Sequence, residues 1–177
     1  MRPAKALFSR EAGDVRVFGS AIHRLFQQIE WIETFDIEQA IQAWRATALE
    51  QTAVLRDAEQ QFRASLASEE VRQALRRPTG DVVLWREKAF ELLLDGELLA
   101  GQFDRVLFAR DAAGVTQQIT LLDFKSNRVE GEAALHFTAG KYCEQMALYA
   151  AALRRILGPA PVTTSLVFTR VGRVVVL

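Results

Sequence analysis

The sequence predicts an α/β fold: a central mixed β-sheet flanked by helices, preceded by an N-terminal helical section. Three observations predict it. Residues 36–77 contain neither Gly nor Pro and carry apolar residues at helical spacing. Residues 82–125 hold three extended apolar runs, parted by Asp95-Gly96 and by Asp111-Ala112-Ala113-Gly114. A helical stretch then separates the third run from a fourth, which is the arrangement of a β–α–β crossover.

The elements follow in order. Residues 1–15 are mixed in character and are expected to be poorly ordered. From Val17, the residues Phe18, Ile22, Leu25, Phe26, Ile29 and Ile32 recur at three-to-four spacing, which predicts a helix. Gly19-Ser20 stands where a cap would open it, with Ser20 as the cap oxygen and His23 in or near the first turn. Between residues 36 and 77 the pattern predicts two or three amphipathic helices, the first capped by Asp36 and the last by Ser68. Pro78-Thr79-Gly80 ends this section. Strands are predicted over Val82–Leu94, Leu98–Ala109 and Val115–Lys125, with Asp95-Gly96 as the hairpin turn, giving an antiparallel meander of three strands. Residues 127–138 read as a loop and Gly140–Leu157 as a helix stopped by Gly158-Pro159. Strands at Thr163–Thr169 and Arg173–Leu177 close the chain. Residues 1–177 are expected to form a single domain, with a helical section at 16–77 and a sheet-and-helix core at 82–177.

Composition narrows the function. The chain has 177 residues and equal numbers of acidic and basic side chains, 22 of each, so any nucleic-acid surface must be local. Its one cysteine, Cys143, excludes a disulfide, a Cys-based zinc site and a Cys-ligated iron–sulfur cluster within this chain. A cytoplasmic location fits that usage. No apolar run reaches membrane-spanning length, and no G-x-x-x-x-G-K-[ST] phosphate loop is present.

Chemistry concentrates at Leu121-Leu122-Asp123-Phe124-Lys125-Ser126-Asn127. Strand alternation puts Asp123 and Lys125 on one face, and an acid and an amine on an apolar strand are costly to bury without a purpose. Asp104 lies on the neighbouring strand, where the two carboxylates face each other and repel unless a cation or a proton sits between them. Oxygen ligands of this kind suit Mg²⁺, and one imidazole, from His23, makes Mn²⁺ fit as well. A first-turn position disfavours imidazolium, so His23 is expected to be neutral. Lys125 offsets charge on a phosphate in the transition state. Each residue alone has a plainer reading: a boundary histidine, a surface Asp-Arg pair, a strand end emerging into water, a solvated Glu87.

Taken together, the motifs resemble the PD-(D/E)XK nucleases, in their D-…-D-x-K form, and within them the RecB-like branch. The matching segments are Gly19-Ser20-Ala21-Ile22-His23-Arg24-Leu25, Arg86-Glu87-Lys88-Ala89-Phe90, Gly101-Gln102-Phe103-Asp104-Arg105-Val106, Asp123-Phe124-Lys125-Ser126-Asn127, and a helix from Tyr142 through Gln145 to Tyr149. The C-terminal Leu166–Gly172 resembles the closing strands of AddA-type helicase–nucleases. The resemblance implies a restriction-endonuclease-like fold and a metal-dependent DNA exonuclease. It implies His23, Asp104, Asp123 and the Phe124 carbonyl as metal ligands, Lys125 as the catalytic lysine, and Glu87, Gln145, Tyr149 and Tyr142 as supporting or DNA-contacting residues. It implies Mg²⁺ or Mn²⁺ as cofactor, and single-stranded DNA ends and helicase motor domains as partners in double-strand-break repair and recombination. Arg105, Arg128, Lys141, Tyr142 and Tyr149 are candidates to line the DNA groove. A single cysteine separates the chain from the AddB-type and CRISPR-associated members, which carry an iron–sulfur cluster. A stand-alone nuclease and a non-catalytic DNA-binding or scaffolding module are the alternatives.

Overall fold

The structure, a computed structural model, describes residues 13–49 and 52–177, with side chains from residue 18 onward. Most of the disordered start expected at 1–15 therefore lies outside the described residues; at 13–15 the chain is already helical. The elements are α1 (Gly13–Phe26), a 3₁₀ turn (Ile32–Thr34), α2 (Ile37–Thr47), α3 (Thr52–Leu66), α4 (Glu69–Ala74), β1 (Val82–Leu94), β2 (Glu97–Arg110), β3 (Thr116–Lys125), α5 (Glu132–Gly140), α6 (Cys143–Leu157), β4 (Val162–Phe168) and β5 (Arg173–Val176).

The sheet has five strands in the order β1-β2-β3-β4-β5. Three antiparallel pairings enclose one parallel pairing, β3 with β4, and α5 and α6 make the crossover between them. The sheet is mixed and flanked by helices, as the alternation and turn chemistry predict. Asp95 and Gly96 both take positive φ, 51° and 84°, which is the type I′ geometry that lets a two-residue turn follow strand twist. Asp36 caps α2 as expected, its Oδ1 accepting from Gln39 N at 3.0 Å. Ser68 stands at the cap position of α4, but its hydroxyl goes elsewhere: it donates to the Gly172 carbonyl at 2.5 Å.

The two faces of β3 feed two cores. Leu122 and Phe124 join Ile22, Leu25, Phe26, Trp44, Phe62 and Leu75 under the N-terminal helices. Ile119 and Leu121 join Phe103, Phe108, Leu135, Met146, Leu153 and Phe168 under α5 and α6. Phe26 stacks on Phe124 with ring centroids 4.5 Å apart, which ties α1 to the strand that carries Asp123 and Lys125.

Three expectations are corrected here. The first helix does not open at Gly19-Ser20; it begins at Gly13, so His23 stands in its last turn. Gly19 lies inside the helix, where a Cβ would come 3.5 Å from Ser126 Oγ, a close passage over the end of β3. The segment 127–138 is not all loop, because α5 starts at Glu132 after Gly131, whose φ is 83°. The helix expected from Gly140 starts at Cys143, and Lys141 and Tyr142 form the corner between α5 and α6.

Strands β1 and β2 change face midway. Val83 and Trp85 pack in the second core, and so do Phe90 and Leu92, so the parity shifts between Trp85 and Phe90. On β2 the same shift separates Val106 and Phe108 from Phe103 and Leu99. The register runs through unchanged, Arg86 opposite Arg105 and Lys88 opposite Phe103. At the crossing point Glu87 takes φ 48°, a left-handed conformation that costs a non-glycine residue about 1–3 kcal/mol. Glu87 and Asp104 thus lie where regular alternation is suspended.

Gly101 has a steric reason to be glycine. A Cβ there would lie 2.9 Å from Phe90 Cζ and 3.3 Å from Tyr149 Oη. Phe90 stacks on Phe103 at 4.2 Å, and Tyr149 meets both rings edge-on, so no neighbour is free to give way. Gly101→Ala is expected to lower stability by about 1–3 kcal/mol, measured by urea unfolding; an unchanged midpoint would show that the ring cluster relaxes at no cost.

Candidate active site

The site forms where α1, β1, β2 and β3 meet. His23 Nε2 donates to the Phe124 carbonyl at 2.9 Å, and its Nδ1 lies 3.4 Å from Asp104 Oδ1 and 3.9 Å from Glu87 Oε1. Asp104 Oδ2 accepts from Phe124 N at 2.7 Å. Both the amide and the carbonyl of Phe124 are therefore held by site residues. Asp123 is 3% exposed and its Oδ2 stands 2.6 Å from Lys125 Nζ. The ammonium also reaches Gln145 Oε1 at 3.4 Å and sits 4.1 Å over the Tyr142 ring, whose hydroxyl donates to Asn127 Oδ1.

Electrostatics follow from this crowding. Burial alone would pull the His23 pKa down, but the Asp104 hydrogen bond and charge, with Glu87 and Asp123 behind them, push it up to about 9. The last turn of a helix also favours a cation. The first-turn placement behind the expectation of a neutral His23 is corrected: the residue stands in the last turn of α1, where without a metal its surroundings favour the charged ring. Burial, then repulsion from Asp104, raises the Glu87 carboxyl to about 7. Asp123 is pushed upward by burial and by Asp104, against the pull of Lys125. These shifts share one origin, three acids and an imidazole in a small, partly dehydrated space.

The residues fit a hard divalent cation. Among the described residues, His23, Glu87 and Asp104 each bring a ligand atom within 4.8 Å of the others. Glu87 Oε1 is buried and accepts no hydrogen bond, an acceptor left over for an electrophile. Two carboxylates and one imidazole are the donor set of Mg²⁺ or Mn²⁺. Coordination through Nδ1 requires His23 to give up its proton there.

The structure brings together His23, Glu87, Asp104 and Phe124, and beside them Asp123, Lys125, Gln145 and Tyr142. Glu87 stands nearer the cluster than a supporting place implies, and Asp123 is engaged with Lys125. Tyr149 lies further off, packed on Phe90 and Phe103. Arg128 and Lys141 are exposed, as a DNA-facing role requires. Arg105 is corrected: it is 1% exposed, donates to the carbonyls of Ile29 and Glu30 at 2.7 Å each, and presents no free charge to DNA.

Two contributors escaped the sequence reading. Thr169 bonds the Lys125 carbonyl through its amide at 2.9 Å and its hydroxyl at 3.2 Å. Gln61, on α3, donates to Thr169 Oγ1 at 2.7 Å. Both are buried, so a polar chain runs from the helical section to the backbone of Lys125. The one available signal was a lone Gln on an apolar helix stripe, which does not name its partner.

The fold and the site define a nuclease-like α/β protein with a carboxylate-rich centre and an adjoining lysine. The family model of the PD-(D/E)XK nuclease superfamily matches residues 2–175, and the chain belongs to that superfamily. A comparison with curated proteins gives no match. No helix among the described residues is long and apolar enough to cross a membrane.

Proposed function

We propose that the chain is a metal-dependent DNA exonuclease domain of the RecB-like branch, a single domain joined in function to a helicase motor, acting on single-stranded ends in cytoplasmic double-strand-break repair and recombination. Superfamily membership supports a metal-dependent nuclease; the branch, the motor and the repair role rest on the five motifs and their order. The observation that carries the reading is the Lys125 ammonium, 2.6 Å from Asp123 and next to the His23–Glu87–Asp104 cluster.

Asp104, Glu87 and His23 would hold the cation, with Asp123 and the Phe124 carbonyl beside them. A bound Mg²⁺ or Mn²⁺ lowers the pKa of a water nucleophile and neutralises phosphate charge. Lys125 faces the scissile phosphate and offsets the charge that builds up in the transition state. Gln145 and the Tyr142 ring hold the ammonium in place, so little reorganisation is needed during the reaction. The Tyr142 ring against Lys125, with Arg128 and Lys141 exposed, suits a phosphate track with a stacking group. Phe137 extends it, 70% exposed with the Lys141 ammonium 4.6 Å from its ring.

The test is degradation of end-labelled linear DNA, single- and double-stranded, by the full chain with Mg²⁺ or Mn²⁺. Cleavage that a chelator abolishes and added Mn²⁺ restores is the expected result. A folded protein inert with both metals would leave a DNA-binding module as the better reading. The length of the natural reading frame decides between a helicase–nuclease and a stand-alone enzyme.

A further inference from the structure

We propose that Arg86 and Arg105 are positioning residues that fix the His23 ring against Glu87 and Asp104; their value to metal binding rests on the nuclease reading, while their geometry does not. The two arginines are register partners across β1 and β2. Arg86 Nη1 donates to the Gln27 carbonyl at 2.8 Å and the Gln28 carbonyl at 3.1 Å. Arg105 Nη1 and Nη2 donate to the Ile29 and Glu30 carbonyls at 2.7 Å each. Together they take four successive carbonyls of the chain leaving α1. Gln27 joins this clamp to the site directly, because its amide donates to the His23 carbonyl at 2.8 Å. Any slippage of that turn would carry His23 with it.

The energetics argue for a purpose. Arg105 is a buried cation whose Nη1 and Nη2 bond carbonyl oxygens while its Nε has no hydrogen-bond partner, an arrangement that costs more than an apolar residue of similar size. Burial and the neighbouring Arg86 charge push its pKa down to about 10, so it stays charged at neutral pH. The negative end of α1 offsets part of the cost. The Trp31 ring lies 5.4 Å from its guanidinium and covers it. A lysine has no fork with which to bridge two carbonyls in this way.

Sequence adjacency gives the clamp its use. Glu87 follows Arg86, and Asp104 precedes Arg105. Each strand therefore supplies one arginine to the end of the helix and one carboxylate to the imidazole the helix carries. A single peptide unit separates the two tasks, with consecutive Cα atoms about 3.8 Å apart. The distance from ring to carboxylate is thereby set by the strand pair, and does not depend on side-chain packing under α1 alone. That is the service outer residues perform for a metal-binding histidine, holding it in one orientation before the cation arrives.

The test uses the full chain with Arg86→Ala, Arg86→Lys and Arg105→Lys, and Arg154→Ala as an exposed control on α6. Two quantities are read: the Mn²⁺ dissociation constant by titration calorimetry, and the His23 ring resonances by NMR in metal-free protein. Arg86→Ala is expected to weaken Mn²⁺ binding about tenfold and to shift the His23 resonances, with Arg86→Lys between it and wild type. KM for DNA at saturating Mn²⁺ should stay unchanged. Unmoved His23 resonances in Arg86→Ala and Arg105→Lys would overturn the proposal, as would an equal effect of Arg154→Ala. Should the wild type bind no Mn²⁺, the metal reading fails, and the His23 resonances still decide the positioning role. If Arg105→Lys does not fold, the exposed Arg86 is tested by itself.

Discussion

Lys125→Ala is expected to lower the rate of DNA cleavage by about 10²–10³-fold while leaving Mn²⁺ affinity near that of wild type. The ammonium is an anchored charge. Asp123 holds it at 2.6 Å, Gln145 at 3.4 Å, and the Tyr142 ring lies beneath it at 4.1 Å. It is not one of the groups that converge on the cation position, which are His23, Glu87 and Asp104. Loss of rate should therefore appear mainly in kcat, with KM for DNA little changed, because the extra negative charge it offsets, beyond that of the diester itself, builds up only in the transition state. Single-turnover cleavage of labelled DNA at saturating Mn²⁺ measures this. Lys125→Arg keeps the charge but cannot place it within the same short contact with Asp123, so it should recover only part of the rate. A Lys125→Ala enzyme that cuts as fast as wild type would remove the lysine from the chemistry. One that loses Mn²⁺ affinity in parallel would assign it to the metal instead.

The parts of this site that were legible in the sequence are those governed by local rules. Alternation and turn residues located β1, β2 and β3 to within two residues, because Asp95-Gly96 and Gly114 force reversals wherever they occur. That Asp104 lies close enough to Asp123 for the two carboxylates to repel followed from two adjacent antiparallel strands. What escaped is set by long-range partners. Arg105 reads as an ordinary surface cation, and its burial depends on carbonyls 75 and 76 residues away. Glu87 taken alone reads as a solvated charge between Arg86 and Lys88; the resemblance named it only as a supporting residue, and its place beside His23 coincides with the change of face at φ 48°. The start of α1 was misplaced because Gly19-Ser20 has the chemistry of a helix opening, yet the helix runs through it from Gly13. In α5 only Leu135 and Ala139 are buried, too short an apolar stripe to announce a helix. The misplaced start of α1 moved His23 from one end of a helix dipole to the other, and with it the expected charge on its ring.

The largest effect on stability should come from the cation itself. Without it, Glu87, Asp104 and Asp123 repel one another in a space from which water is largely excluded, and His23 in its charged form offsets only part of this. Mn²⁺ at about 100 times its dissociation constant should add about 2.7 kcal/mol of stability. For a chain of this size that corresponds to a rise of about 5–10 °C in Tm. Asp104→Asn should abolish the rise, since it removes one of the converging oxygens. It should also leave the metal-free protein close to wild type in stability, because relief of the repulsion with Glu87 and Asp123 offsets the lost attraction to His23, and the amide's carbonyl oxygen still accepts from Phe124 N. The two halves of this result must occur together: a residue that merely holds the fold would lower Tm in the metal-free state, whereas a ligand lowers it only when metal is present. Differential scanning calorimetry of wild type and Asp104→Asn, each with chelator and with Mn²⁺, separates the cases. A Tm gain retained in Asp104→Asn would place the cation elsewhere. A metal-free Asp104→Asn protein that unfolds well below wild type would mean that the carboxylate's attraction to His23 outweighs the repulsion it suffers.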